Sequence, residues 1–252
     1  MLAGDVDMTG IQRISPLGFP WKTPDPFLFC AYHNDLYPVG NARLGPKADL
    51  SKRQLGSDFS GKDGWSMYHG ESIPGFPAHP HCGFETITVV EKGIIDHSDS
   101  LGAAGRFGQG DAQWMTAGKG IQHSEMFPLL SDSDNNPLRL FQLWLNLPRK
   151  SKQADPYFKM FWHEEIPVVP SDQGKVKVIA GEFAGRSALL PPPESWASAR
   201  GNEVGVFIVT VKESAMITFH KAGSGVNRSL YFYEGDKLAV NSREVAVGSR
   251  VE

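Results

Sequence analysis

Hydrophobic and polar residues alternate along much of this chain in short segments, and few stretches show the period of a helix. Glycine (27 residues) and proline (18 residues) separate these segments. Alternation places every second side chain on one face of an extended strand, and frequent turn residues are typical of sandwiches and barrels. The pattern therefore predicts an all-β fold, with strands at residues 85–90, 94–97, 139–147, 176–179, 206–211, 216–219 and 230–233.

A polar stretch containing two prolines interrupts this texture at residues 148–156. Stretches of this composition commonly connect domains. We therefore expect two β domains, the first at residues 8–148 and the second at residues 163–252, joined by a linker at residues 149–162. No residue-level repeat relates the halves, so a shared architecture would have diverged in sequence.

Composition and charge exclude several classes of protein. The formal net charge of −3 provides no basic surface for direct nucleic-acid binding. No apolar run approaches the roughly 20 residues that span a membrane, and the first residues lack the features of a secretory signal. We expect a cytoplasmic protein that could also enter the nucleus. Cys30 and Cys82 lack zinc-finger or CxxC spacing, which predicts two free thiols.

Two short motifs predict a metal site. His79 and His81 are two residues apart, so a strand would present both imidazoles on one face. His123 and Glu125 would do the same on a second strand. Histidine with carboxylate is the ligand set of non-haem iron, our first choice, and it also suits manganese, copper, nickel or zinc. Glu85 shares the parity of the first pair in a regular strand, so either Glu85 or Glu125 could be the fourth ligand.

The remaining histidines have no such grouping. A histidine without a nearby ligand-type residue is usually structural, and we therefore assign no site to His33, His69, His97, His163 or His220. The glutamate that is not a ligand could orient a histidine or act as a general base.

Several longer runs closely resemble the pirin family. They lie at residues 77–86, 96–102, 110–126 and 143–148, and beyond them the second half resembles the family only loosely. The resemblance implies two double-stranded β-helix (cupin) barrels with iron in the first, and it gives the ligands as His79, His81, His123 and Glu125. We expect a second barrel that binds no metal and that could be incomplete. Cys82 stands where the family commonly has arginine.

The resemblance implies two functions of different classes. One is quercetin 2,3-dioxygenase activity on a flavonol or similar aromatic, with dioxygen as co-substrate and Glu125 or Glu85 as the catalytic proton acceptor. The other is an iron-dependent, redox-sensing transcriptional co-regulator that binds a transcription-related protein. In either case we expect a monomer.

Overall fold

Strands form nearly all of the regular structure in the computed structural model, which describes residues 10–252. The first two residues of the predicted first domain lie outside the described residues. In chain order the strands are β1 (Ile14–Pro16), β2 (Phe27–Tyr37), β3 (Gly75–His81), β4 (Phe84–Lys92), β5 (Ile94–Asp99), β6 (Ala104–Gly108), β7 (Ala112–Thr116), β8 (Ile121–Met126), β9 (Asn136–Asn146), β10 (Tyr157–Phe161), β11 (Val168–Ser171), β12 (Gly174–Ala180), β13 (Glu182–Phe183), β14 (Arg186–Ser187), β15 (Val206–Val211), β16 (Leu230–Phe232), β17 (Leu238–Val240), β18 (Arg243–Val245) and β19 (Ser249–Val251).

Helical structure in the described residues is limited to four three-residue 3-10 turns, at Lys62–Gly64, Arg149–Ser151, Trp196–Ser198 and Arg200–Asn202. Among residues 10–252 there is no helix with the length and apolar character that crossing a lipid bilayer requires. The predicted all-β class is confirmed.

Two antiparallel sheets build the first barrel. The larger sheet has the strand order β10-β7-β4-β9-β2, and the smaller has the order β3-β8-β5-β6. Apolar side chains from both sheets pack together between them: Val90 of β4 and Leu140 of β9 meet Ile95 of β5 and Phe107 of β6. The buried face of β8 carries His123 and Glu125 together with Ile121.

Strand β4 separates two environments. Thr88 and Val90 face the interior of the first barrel, where Val90 joins its core. The alternate residues Ile87 and Val89 face the opposite way and pack against the second half of the chain, including Ile179. Because successive side chains of a strand point to opposite faces, β4 contributes to both cores.

The second half consists of smaller sheets. A three-stranded sheet has the order β11-β12-β15, two further pairs are β13-β14 and β17-β18, and β1 joins β19 and β16. The predicted strands at 176–179, 206–211 and 230–233 are present as β12, β15 and β16. The predicted strand at 216–219 is wrong, because these residues form no strand. Phe219 instead packs from a loop against Phe183 and Phe207, while Met216 is largely exposed.

The segment predicted to be a linker contains a strand. Strand β10 pairs with β7 from Tyr157 opposite Thr116 to Phe161 opposite Ala112. In the other direction, β1 pairs with β19 near the end of the chain. The larger sheet of the first barrel therefore extends to Phe161, and the domain limits stay a prediction.

Candidate metal centre

Three imidazoles meet on the inner face of the smaller sheet. His79 of β3 lies opposite His123 of β8 in the strand register, and His81 follows two residues after His79 on the same face. The Nε2 atom of His79 lies 3.1 Å from the Nε2 atoms of both His81 and His123. The predicted grouping of these three histidines is therefore present in the structure, with their ring nitrogens directed at one point.

The protonation of these rings suits a bound cation. Burial lowers the pKa of His81 and of His123 to about 3, and repulsion from the neighbouring imidazoles acts in the same direction. The Nδ1 atom of His79 lies 2.8 Å from the carbonyl oxygen of Pro77, which can only accept, so Nδ1 carries the proton. In the neutral ring, the Nε2 atom of His79 then holds a lone pair. Neutral imidazoles with converging lone pairs have the donor chemistry of a transition-metal site.

Close approach of β3 and β8 depends on Gly75. Its φ of +129° is unfavourable for residues with a Cβ, and a Cβ at this position would lie 2.5 Å from the carbonyl oxygen of Glu125. Glycine therefore allows the main chain beside the carboxylate to pack against β3.

Glu125 lies on the same inner face, two residues after His123. Thr88 donates a hydrogen bond to Oε1 at 3.3 Å, and Gln142 donates one to Oε2 at 2.6 Å. Glu125, His123 and His97 could bind one ion together, because one possible ligand atom of each lies within 4.8 Å of the other two. The three clustered histidines form a separate group of this kind, so His123 is shared by both groups.

His97 lies beside His123 and Glu125, although the sequence assigned it no site. Its buried ring lies 5.3 Å from that of His123, measured between centroids, and opposite Glu125 in the register of β5 and β8. Its Nε2 lies 3.2 Å from Oδ2 of Asp99. The spacing of His97 and Asp99, two residues apart on a strand, is the same signal that marked the other pairs.

Glu85 lies apart from this centre. Its side chain shares a face of β4 with Ile87 and Val89, away from Thr88 and the barrel interior. The predicted parity failed because Gly83, with φ of +77°, turns the chain between β3 and β4. A ligand or catalytic role for Glu85 in this centre is therefore inconsistent with its position.

The environment of Glu85 is buried and almost uncharged. Thr116 donates a hydrogen bond of 2.6 Å to its Oε1 atom, and Ser195 and Trp114 also face the carboxyl. Burial raises the pKa of Glu85 to about 7 despite these neighbours. The carboxyl thus belongs to the packing between the first barrel and the loop that carries Ser195.

An aromatic wall stands beside the imidazoles. The ring of Trp144 lies 5.0 Å from that of His81, stacks on Phe84 at 4.3 Å and contacts Phe29 at 4.4 Å, measured between centroids. The Nε1 atom of Trp144 donates a hydrogen bond of 3.1 Å to Oε1 of Gln142. Gln142 therefore bonds both to the wall and to the carboxylate of Glu125.

The two cysteines differ in their access to solvent. Both are free thiols, as predicted, but Cys82 is exposed whereas Cys30 is buried. Burial raises the pKa of the Cys30 thiol. Cys82 directly follows His81, so the exposed thiol lies next to the cluster in sequence.

Comparison with protein families identifies the segment that carries this centre. Residues 41–145 match the pirin family. The predicted resemblance is thus confirmed, and the match covers all four predicted ligand positions.

Individual proteins show the same resemblance. A pirin-like protein of Caulobacter vibrioides is 44% identical over 137 residues, which cover 54% of this chain and 47% of the relative. A Pseudomonas aeruginosa protein with the provisional name quercetin 2,3-dioxygenase is 44% identical over 111 residues, or 43% of this chain and 39% of that protein. The chain thus matches less than half the length of these curated relatives.

Comparison of structures extends the likeness to most of the chain. A crystal structure of quercetin 2,3-dioxygenase from Acinetobacter baumannii superposes with a TM-score of 0.59 at 22% identity, covering 90% of this chain and 66% of the other. At this identity the match concerns the fold alone. It confirms the predicted cupin class.

Proposed function

We propose that His79, His81, His123 and Glu125 hold one metal ion, with iron as the first choice. The observation that carries this proposal is the convergence of three imidazole nitrogens, two of them 3.1 Å from the third. Ring nitrogens that converge in this way can share one cation through their lone pairs. Three histidines and one carboxylate leave coordination positions free, which suits iron, while manganese, copper, nickel and zinc accept similar donors.

We further propose that the centre acts as an oxidoreductase of the quercetin 2,3-dioxygenase type. The name of the Pseudomonas relative suggests this chemistry, and the aromatic wall suits a planar substrate such as a flavonol. A bound metal would supply Lewis acidity and a redox partner for dioxygen. Trp144 and its aromatic neighbours would form an apolar side of the substrate site, and Glu125 would accept the proton of the substrate's hydroxyl group. Gln142 would hold the carboxylate in place through its 2.6 Å hydrogen bond.

Metal content tests the site. Elemental analysis of the purified protein should find about one metal ion per chain, and His81→Ala and Glu125→Ala should each reduce this content. His69→Ala is a matched control, because it removes an imidazole whose Nδ1 bonds to the carbonyl oxygen of Gly56 outside the cluster. If both site variants keep full metal content, the proposed centre is wrong.

Turnover tests the reaction. Anaerobic addition of a flavonol to the metal-loaded protein should change the spectrum of the metal, and admission of air should consume the flavonol and release carbon monoxide. If the protein contains the expected metal but does not convert the flavonol, the dioxygenase proposal is wrong.

A second candidate function is a redox-sensing, iron-dependent co-regulator that binds a protein partner. The match to the pirin family suggests it, and the exposed Cys82 beside His81 adds a second oxidisable group next to the proposed centre. Pull-down experiments with ferrous and ferric protein should then recover different partners. Identical profiles from the two forms would contradict a redox switch.

A further inference from the structure

Two buried nitrogen atoms near the cluster have no hydrogen-bond partner among the described residues. They are the Nδ1 atoms of His97 and His123. Buried polar atoms are nearly always hydrogen-bonded, and an unpaired one is costly. These two atoms belong to neighbouring rings whose centroids are 5.3 Å apart. The two unpaired groups therefore lie where they could satisfy each other.

The tautomers of the two rings are complementary. The Nε2 atom of His97 faces a carboxylate oxygen of Asp99 at 3.2 Å, and an ionised carboxylate can only accept, so His97 carries its proton on Nε2. Its Nδ1 atom then has a lone pair. The Nε2 atom of His123 faces His79 and would bind the metal, which places the proton of His123 on Nδ1. One Nδ1 atom is thus a donor and the other an acceptor.

Neighbouring groups hold Asp99 and the ring of His97 in place. The other carboxylate oxygen of Asp99 accepts hydrogen bonds from the main-chain nitrogens of Leu101 and Ala103, at 2.9 and 3.1 Å. The ring of His97 also stacks on Phe158 of β10, with centroids 5.2 Å apart and an interplanar angle of 28°. The orientation of the His97 ring is therefore fixed from two sides.

Glu125 already has other partners. Its two oxygens accept hydrogen bonds from Thr88 and Gln142, and the proposed function gives this carboxylate to the metal and to the substrate proton. In this group of three, His97 is the residue other than His123 that has a buried ring nitrogen without a partner.

We propose that His97 is a positioning residue of the metal centre. Its Nδ1 atom accepts a hydrogen bond from the Nδ1–H group of His123, and its Nε2–H group donates one to Asp99. This inference rests on the proposed metal site. The two Nδ1 atoms are not hydrogen-bonded to each other in this structure, so the proposal requires the His123 ring to bring them within hydrogen-bond distance when the metal binds. The chain from His123 through His97 to Asp99 would then fix the orientation and tautomer of a ligand. Partners of this kind raise the basicity of a histidine ligand and strengthen metal binding.

Cobalt(II) binding to the full chain tests this role. His97→Phe keeps a ring that can stack on Phe158 but removes the acceptor, and it should weaken Co2+ binding by about 10- to 100-fold in a competition titration. His97→Gln retains a side-chain acceptor and should lose less. His33→Phe is the matched control: His33 is also buried with an unpartnered Nδ1, but it packs among Tyr68 and Phe76. Its affinity should match that of the unaltered protein.

Proton NMR of the Co2+-loaded protein gives a second readout that packing alone would not change. The ring N–H protons of the ligands are shifted by the metal and are recognised by their loss in D2O. The N–H proton of His123 should exchange slowly in the unaltered protein and in His33→Phe, and it should exchange rapidly in His97→Phe.

Three results would overturn the inference. Equal Co2+ affinity and equal N–H exchange in His97→Phe would exclude a positioning role, and His97→Ala, which also removes the acceptor, decides the matter in the same way if the phenylalanine variant does not fold. A fourth shifted ring N–H signal would show that His97 is itself a ligand. Absence of Co2+ binding by the unaltered protein would instead overturn the proposed function, and the inference with it.

Discussion

Replacing Glu85 with glutamine is expected to stabilise the protein at pH 8 and to have a much smaller effect at pH 5. The side chain is fully buried, and one carboxyl oxygen has no hydrogen-bond partner among the described residues. Burial raises the pKa of the carboxyl from its usual 4.5 to about 7. At pH 8 the folded protein must therefore bury a carboxylate, whereas glutamine has the same shape and no charge.

The sign and size of the effect follow from proton binding. A raised pKa means that the folded state binds this proton more tightly than the unfolded state, so stability falls as pH rises through the interval from 4.5 to about 7. Each pKa unit corresponds to about 1.4 kcal/mol. The gain in the free energy of unfolding from Glu85→Gln should therefore be about 2 to 3 kcal/mol larger at pH 8 than at pH 5.

Urea unfolding of the two proteins at both pH values measures this difference directly, since other titrating groups contribute equally to each. Glu194→Gln is the control, because it neutralises an exposed carboxyl one residue before Ser195. Its effect should stay within about 0.5 kcal/mol at both pH values. A gain from Glu85→Gln that is the same at pH 5 and pH 8 would refute a buried ionisation at this position.

Other changes probe the remaining contacts of the first barrel. Gln142→Leu removes the hydrogen bonds that Gln142 makes to a carboxylate and to an indole. It should lower the free energy of unfolding in urea by about 2 to 4 kcal/mol and shift the tryptophan fluorescence. Unchanged stability and fluorescence would contradict these hydrogen bonds. Gly75→Ala should lower the Tm far more than Gly120→Ala, since both glycines have positive φ but only Gly75 lacks space for a Cβ; equal losses would show that no clash occurs. A thiol reagent should modify only Cys82 in the native protein and should reach Cys30 after unfolding, and two equally fast reactions would disprove the burial of Cys30.

Local sequence patterns predicted those parts of the fold and site that depend on neighbouring residues. The two-residue spacing of His79 and His81 placed both rings on one face, as the structure shows. The same counting failed for Glu85, because it assumes a continuous strand and the chain turns at Gly83. His97 was missed because its position beside His123 depends on the pairing of β5 with β8. The two-residue spacing of His97 and Asp99 indicates a shared strand face, but it does not show that this strand pairs with β8.

The pairing of β10 with β7 defines how much chain the first barrel needs to fold alone. A recombinant barrel that ended at residue 148 would expose one edge of β7 along its length, and unpaired strand edges promote self-association. It would also remove Phe158, which stacks on His97 beside the metal centre. We therefore expect the smallest unit that folds alone to end no earlier than Phe161, and we expect strand β10 to reduce self-association by covering this edge.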